Sequence, residues 1–251
     1  MSQVVSFEDG GYRFIRGVFP YSAGVAAAPG FEIERVRLSR PLSFAEGFSA
    51  IEAHLNAVGR PLTAFCACEM RSPKPFSEGS FGDFNTTYVN KLKSWNIYRN
   101  DTNPIARSNV CPIILPPDEP SLYAFSYTVP LIGATLRQSF VIAGSAEAPE
   151  GMPNYRDYII RLEDTSPDGI REKACWTLGE MERRLAALGF GWGDTTATQL
   201  YTAHDSWPFI EEELAKRGAM RNGMTWHYTR PPVINLEYEL DTRGVYRELV
   251  I

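Results

Sequence analysis

The chain has 251 residues, 44% of them hydrophobic and 22% charged, with a formal net charge of −5. This mild acidity argues against nucleic acid or an anionic membrane as the main partner, since both call for a basic face. No apolar run approaches the roughly 20 residues of a membrane span, and the opening MSQVVSFEDGGYRF lacks the basic and apolar regions of a signal peptide. The four cysteines, Cys66, Cys68, Cys111 and Cys175, include no CxxC pair, which points to a reduced, cytoplasmic protein rather than a disulfide scaffold.

Two short apolar runs, Tyr12–Phe19 and Tyr21–Ala28, predict an antiparallel hairpin. Ser43 with Glu46 reads as a capping box opening an amphipathic helix, with Phe48, Ile51, Leu55 and Val58 on one face and Gly59 as its stop. A strand over Leu62–Met70 follows, then the breakers Pro73 and Pro75 and a second helix over Phe84–Trp95. Ala106–Pro117 and Ser121–Val129 close this half as strands, and a linker is expected at Pro130–Arg137.

The pattern then returns. Leu178, Met181, Leu185 and Leu188 repeat the helical face 130 residues later, closed by Gly189. Strands are expected at Asp194–Tyr201, Thr225–Val233 and Asn235–Gly244. The string SAGVAAAPG at Ser22–Gly30 has its echo in IAGSAEAPEG at Ile142–Gly151. So long a period implies two similar domains, 1–130 and 131–251, each with the order β-β-α-β-α-β-β. A sheet with two helices on one face is a two-layer α+β unit. Its other face needs cover, and further copies of the unit around a threefold or pseudo-threefold centre are the expected cover.

Six local strings in order resemble the RidA family, also called YjgF or enamine/imine deaminases. They are Ala23-Gly24 with Ala143-Gly144, AIEAHLNAVGRPLTAF, DFNTTY at Asp83–Tyr88, ARSNV at Ala106–Val110, EMERRLAALGFGWGDTT, and LEYELD at Leu236–Asp241. The resemblance covers most of both halves. It implies a tandem duplication of the RidA-like (chorismate mutase-like) α+β domain, a homo-oligomer expected to be a trimer, and sites in clefts between neighbouring units. Within that group SAGVAAAPG, AFCACEMRSP, ARSNVCP, GEMERRLAALGFGW and TRPPV look like the 2-aminomuconate deaminases of nitrobenzene and chloronitrobenzene degradation. That likeness implies hydrolytic release of ammonia from a small anionic substrate, an amino-dienoic diacid or its chlorinated analogue. A general enamine/imine deaminase and a binding module without turnover stand as alternatives.

The resemblance also nominates residues. Arg107 matches the family's arginine that holds a substrate carboxylate through a bidentate fork. Asn85 matches an asparagine on the second helix, and Asn109 lies two residues beyond Arg107, on the same side of a strand. Arg71 is a candidate second anion contact. The family's closing strand carries a glutamate that serves the attacking water. Here Glu237 and Glu239 stand on that strand in the second half, whereas LYAFSYT in the first half has no carboxylate. A working site is therefore expected to combine Arg107 from one half with Glu237, as general base, or Glu239 from the other. No metal or cofactor is expected, since an iminium carbon is already electrophilic, and His54, His204 and His227 lack ligand spacing. Glu147 breaks the echo with Ala27 and reads as a turn-side carboxylate or a cleft residue.

Overall fold

The computed structural model describes residues 3–133 and 137–251, so part of the expected linker lies outside the described residues. In chain order the elements are β1 (Val4–Phe7), β2 (Tyr12–Ile15), β3 (Gly24–Ala27), β4 (Phe31–Ser43), α1 (Phe44–Ala57), β5 (Phe65–Arg71), α2 (Glu78–Ser94), β6 (Ala106–Pro112) and β7 (Ser121–Pro130). The second half supplies β8 (Phe140–Ala146), α3 (Pro167–Leu188), β9 (Ala197–Thr202), β10 (Thr225–His227), β11 (Thr229–Arg230), β12 (Tyr238–Gly244) and β13 (Arg247–Val250).

The helices form where the local chemistry places them. At α1 the Ser43 hydroxyl accepts the Glu46 N–H while the Glu46 carboxylate accepts the Ser43 N–H, both at 3.3 Å, which satisfies two otherwise orphaned donors. Phe48, Ile51 and Leu55 are buried, each contributing about 1.5–3 kcal/mol of apolar transfer. Val58, the fourth residue of that stripe, is 44% exposed. Gly59 turns the chain at φ +69, as Gly189 does after α3 at φ +86.

The strands assemble into two sheets, β1-β2-β3-β8-β12-β9-β10 and β11-β6-β5-β7-β4-β13. Each carries an apolar core on its helix-covered face. Helices α1 and α2 pack through Phe48, Leu55, Tyr88 and Leu92, and α3 packs through Leu178, Met181 and Leu185. The inner faces meet across a layer that is part apolar, where Phe14, Val25 and Ala143 join the core of the other sheet, and part polar. Ser108 on β6 donates to Asp241 on β12 at 2.5 Å, and Gln199 on β9 donates to Glu69 on β5 at 3.2 Å. The result is a two-sheet α+β body with helices outside. The inner face of each sheet is covered by the other sheet of the same chain, not by another copy.

Several expectations need correction. Strand β4 was not expected, because its run of charges (Glu32, Glu34, Arg35, Arg37) hides a buried strand. Arg35 pairs with Glu69 at 2.6 Å and is itself buried. The stretch Thr225–Val233 is two short strands in different sheets: β10 runs parallel to β9, and β11 runs antiparallel to β6. Pro231 and Pro232, having no N–H to give, interrupt the ladder, and Val233 then bridges to Phe76 instead. The second half's second helix shrinks to a single π-turn, Ile210–Ala215, ahead of Gly218 and Gly223 at φ +95 and +85. Finally, the halves exchange strands. Gly24 of the first hairpin pairs with Ile142 of β8, and β13 runs beside β4, so ladders cross position 130/131.

Candidate active site

Strand β6 runs parallel to β5 with Arg107 beside Cys68 and Asn109 beside Met70. Cys68 lies against Tyr88 of α2, so Arg107 and Asn109 project to the helix side while Ser108 projects between the sheets. Beside β6, ahead of the residues that pair with β11, stand β3 and β8 of the other sheet. The two sheets meet there along a seam.

At that seam lies a cavity of about 40 Å³, walled by Tyr21, Phe81, Arg107, Asn109, Gly144, Glu150, Tyr155, Leu236 and Glu239 among others. Arg107 is buried, 3% exposed, inside four rings: Tyr88 at 4.8 Å, Tyr21 at 5.0 Å, Phe84 at 5.5 Å and Phe81 at 5.8 Å. Its Nη2 donates to Asn85 Oδ1 at 2.8 Å, which aims the fork, while Nη1 is buried without a hydrogen-bond partner. Asn109 repeats this state: Oδ1 accepts from Ser72 at 3.0 Å and Nδ2 has no partner. Two buried unsatisfied donors on one wall are costly unless an acceptor joins them. A carboxylate is the acceptor that suits a desolvated guanidinium.

Glu239 faces them from β12, where it pairs with Tyr201 on one side and Ala146 on the other. Its carboxyl lies directly over Gly144, the one residue type that leaves room there. Burial pushes its pKa well above the carboxylate range, and Asp241, Glu147 and Glu150 push the same way against Arg71. Burial thus favours the protonated form of Glu239, the form able to donate a proton into the cavity. Burial and Glu69 raise Asp241 as well, while Ser108 and Gln199 hydrogen-bond its carboxylate form.

The structure thus brings together Arg107, Asn85, Asn109 and Glu239, and separates two other candidates from them. Glu237 lies off the cavity, with its carboxylate 2.8 Å from His204 Nε2. Burial alone would raise its pKa, but His204 and Arg230 hold it below the usual range. Arg71 is on the inner side of β5, stacked on Tyr123 at 4.0 Å, and touches the cavity only through its field on Glu239. Sequence reading missed Tyr21, Tyr155 and Glu150. The hairpin and the long loop that carry them meet β6 only through the strand exchange, which no local pattern signals.

Phe81 and Tyr155 also separate the cavity from an outer groove of about 240 Å³, into which Asn85 faces. The Tyr155 segment is tied to α2 by Glu78, whose carboxylate accepts the N–H groups of Tyr155 at 2.9 Å and Arg156 at 3.3 Å. Among the described residues no group of three or more His, Cys, Asp or Glu side chains is placed to hold a metal, and no helix is long and apolar enough to cross a membrane.

The family described as 2-aminomuconate deaminase CnbZ matches residues 4–249. The chain belongs to the 2-aminomuconate deaminase family. It is also 53% identical over 251 residues to the 2-amino-5-chloromuconate deaminase of Comamonas testosteroni, covering both chains end to end. Among solved structures it is similar to a chorismatase (10% identity, TM-score 0.49, covering 96% of this chain and 85% of that one). It is similar too to a YjgF family member from Mycobacterium tuberculosis (16% identity, TM-score 0.30, covering 45% of this chain and 82% of that one). In this 2-aminomuconate deaminase family member, arginine and acid come from opposite halves and meet at the seam.

Proposed function

We propose that the chain releases ammonia by hydrolysis from 2-aminomuconate or a chlorinated analogue. The observation that carries this reading is the unpartnered Arg107 donor facing the buried carboxyl of Glu239 across one cavity. Arg107 Nη1 and Asn109 Nδ2 take the carboxylate next to the amino-bearing carbon. Glu239 then gives its proton to a carbon of the enamine, which becomes an iminium. The resulting carboxylate accepts a proton from water as that water adds to the iminium carbon. It returns the proton to nitrogen and then takes up the carbinolamine hydroxyl proton as the C–N bond breaks, which leaves a keto acid and ammonia. One water is consumed and one ammonia leaves, with Glu239 protonated again at the end.

A cavity of about 40 Å³ is far smaller than the roughly 300–1,000 Å³ of ordinary ligand pockets. A dienoic diacid therefore enters only when the Tyr155 segment parts from Phe81 and joins cavity to groove. The four unpaired cysteines are in keeping with a cytoplasmic location. We further infer that the sequence units 1–130 and 131–251 assemble as a trimer of chains, an assembly that sedimentation equilibrium would weigh directly.

The test is ammonia release from freshly generated 2-aminomuconate, followed alongside the loss of its near-ultraviolet absorbance, for wild type and Arg107→Ala. Losing one charge-assisted contact removes about 1.5–3 kcal/mol, roughly 10- to 150-fold in kcat/KM. A wild type that speeds only the decay of small 2-aminoacrylate-type imines would replace this reading with a general imine deaminase.

A further inference from the structure

Glu147 directly follows β8, and nothing in the deaminase chemistry above calls on it. Its side chain and that of Lys173 on α3 are both fully buried, with Nζ and Oε1 3.3 Å apart. The Glu147 carboxylate accepts two backbone N–H groups, from Glu237 at 2.7 Å through Oε1 and from Tyr238 at 3.0 Å through Oε2. Those residues lead into β12, immediately before Glu239. Lys173 Nζ also donates to Ile160 O at 2.7 Å, and Ile160 N donates to Glu147 O at 3.0 Å. One ion pair thus joins α3, the loop that carries Tyr155, and the strand that carries Glu239.

We propose that Glu147, paired with Lys173, is the positioning residue for Glu239. A buried ion pair stabilises a fold poorly, because desolvation consumes most of the attraction. What this pair does well is fix geometry: a carboxylate that accepts two consecutive N–H groups sets both the height and the tilt of the chain entering β12. The carboxyl of Glu239 is held over Gly144 as a consequence.

The pair also sets a field. The charged and titratable groups facing Glu239 are Asp241 on its own strand, Glu147 and Glu150 from the segment after β8, Tyr155 beyond them, Arg71 from β5, Arg107 and Cys111 from β6, and Tyr21 of the cavity wall. Burial pushes the Glu147 carboxyl up, while Lys173 and backbone N–H groups hold it back. Its charge and that of Asp241 both push the Glu239 pKa upward.

This inference rests on the deaminase reading, and its test separates the two. Glu147→Gln is measured beside the double variant E147Q/K173M, which leaves no buried lysine without a counter-charge. The expected result with 2-aminomuconate is a fall in kcat on the order of 10- to 100-fold with KM held within about threefold. The alkaline limb of the kcat profile should move to lower pH, because a negative neighbour of Glu239 is gone. A purely structural role lowers the melting temperature without moving that limb. Folded variants with wild-type kcat and an unmoved alkaline limb would overturn the proposal and leave the deaminase reading intact. A wild type that releases no ammonia would overturn both.

Discussion

Gly144→Ala tests the site with the smallest possible perturbation. Gly144 lies within β8 in ordinary strand geometry, so the backbone itself tolerates alanine. The new Cβ would fall well inside contact distance of Glu239 Oε1 and 3.1 Å from Ser108 Oγ. The carboxyl is the far end of a side chain and can yield, but only by retreating roughly 1 Å from its place, a displacement that costs on the order of 10²-fold in rate. Stability should barely change. Alanine restricts the unfolded chain by about 0.4–1 kcal/mol, and an off-rotamer glutamate costs about 0.5–1.5 kcal/mol. The two nearly cancel, so the melting temperature should move by no more than a few degrees. The assay is kcat for ammonia release paired with a thermal melt. A variant with unimpaired kcat would refute the claim that Glu239 acts from its position over Gly144.

Glu239→Gln should abolish turnover while still binding a non-reactive dicarboxylate such as muconate, measured by titration calorimetry. The same variant carries a stability signature. Burial raises the Glu239 pKa above its ordinary 4.5, so its contribution is fully present below that value and is lost as pH rises through the folded-state pKa. Melting temperature should therefore fall less steeply above pH 4.5 in the variant than in wild type. Glu78→Ala removes an exposed carboxylate and should leave the melting temperature nearly unchanged, yet hydrogen exchange at the Tyr155 and Arg156 amides should quicken. Ser43→Ala should cost about 1 kcal/mol by removing the α1 cap, read by denaturant titration; a loss below about 0.3 kcal/mol would contradict the capping geometry.

Much of the architecture was legible because it is written locally. The Ser43 cap, the Phe48–Ile51–Leu55 stripe, the Gly59 and Gly189 stops and the echo of Ala23-Gly24 in Ala143-Gly144 each depend on neighbours within a few residues. Arg107 and Glu239 were legible through resemblance, and their placement on one cavity needed the folded chain. What stayed hidden depends on distant partners. Strand β4 carries no local strand signal, because its charges are neutralised only by partners such as Glu69, which pairs with Arg35. Glu237 and Glu239 look equivalent on an alternating strand, yet Tyr238 is where pairing begins, and Glu237, just before it, turns to His204. Glu147 read as a turn residue because its lysine lies far along the chain.

The strand exchange has a consequence for how this protein is made. The β2–β3 hairpin leaves the ribosome early, but its partner on the far side, β8, begins only at Phe140. At roughly 5–20 residues per second the hairpin waits about 6–24 s for that strand. Throughout that interval the edge of β3 is an unpaired template, open to chaperones or to another nascent copy. The first half cannot complete its own sheet by itself, because β11 and β13 of that sheet come from the far end of the second half. Emergence of β13, rather than completion of either sequence repeat, is the event that completes the second sheet.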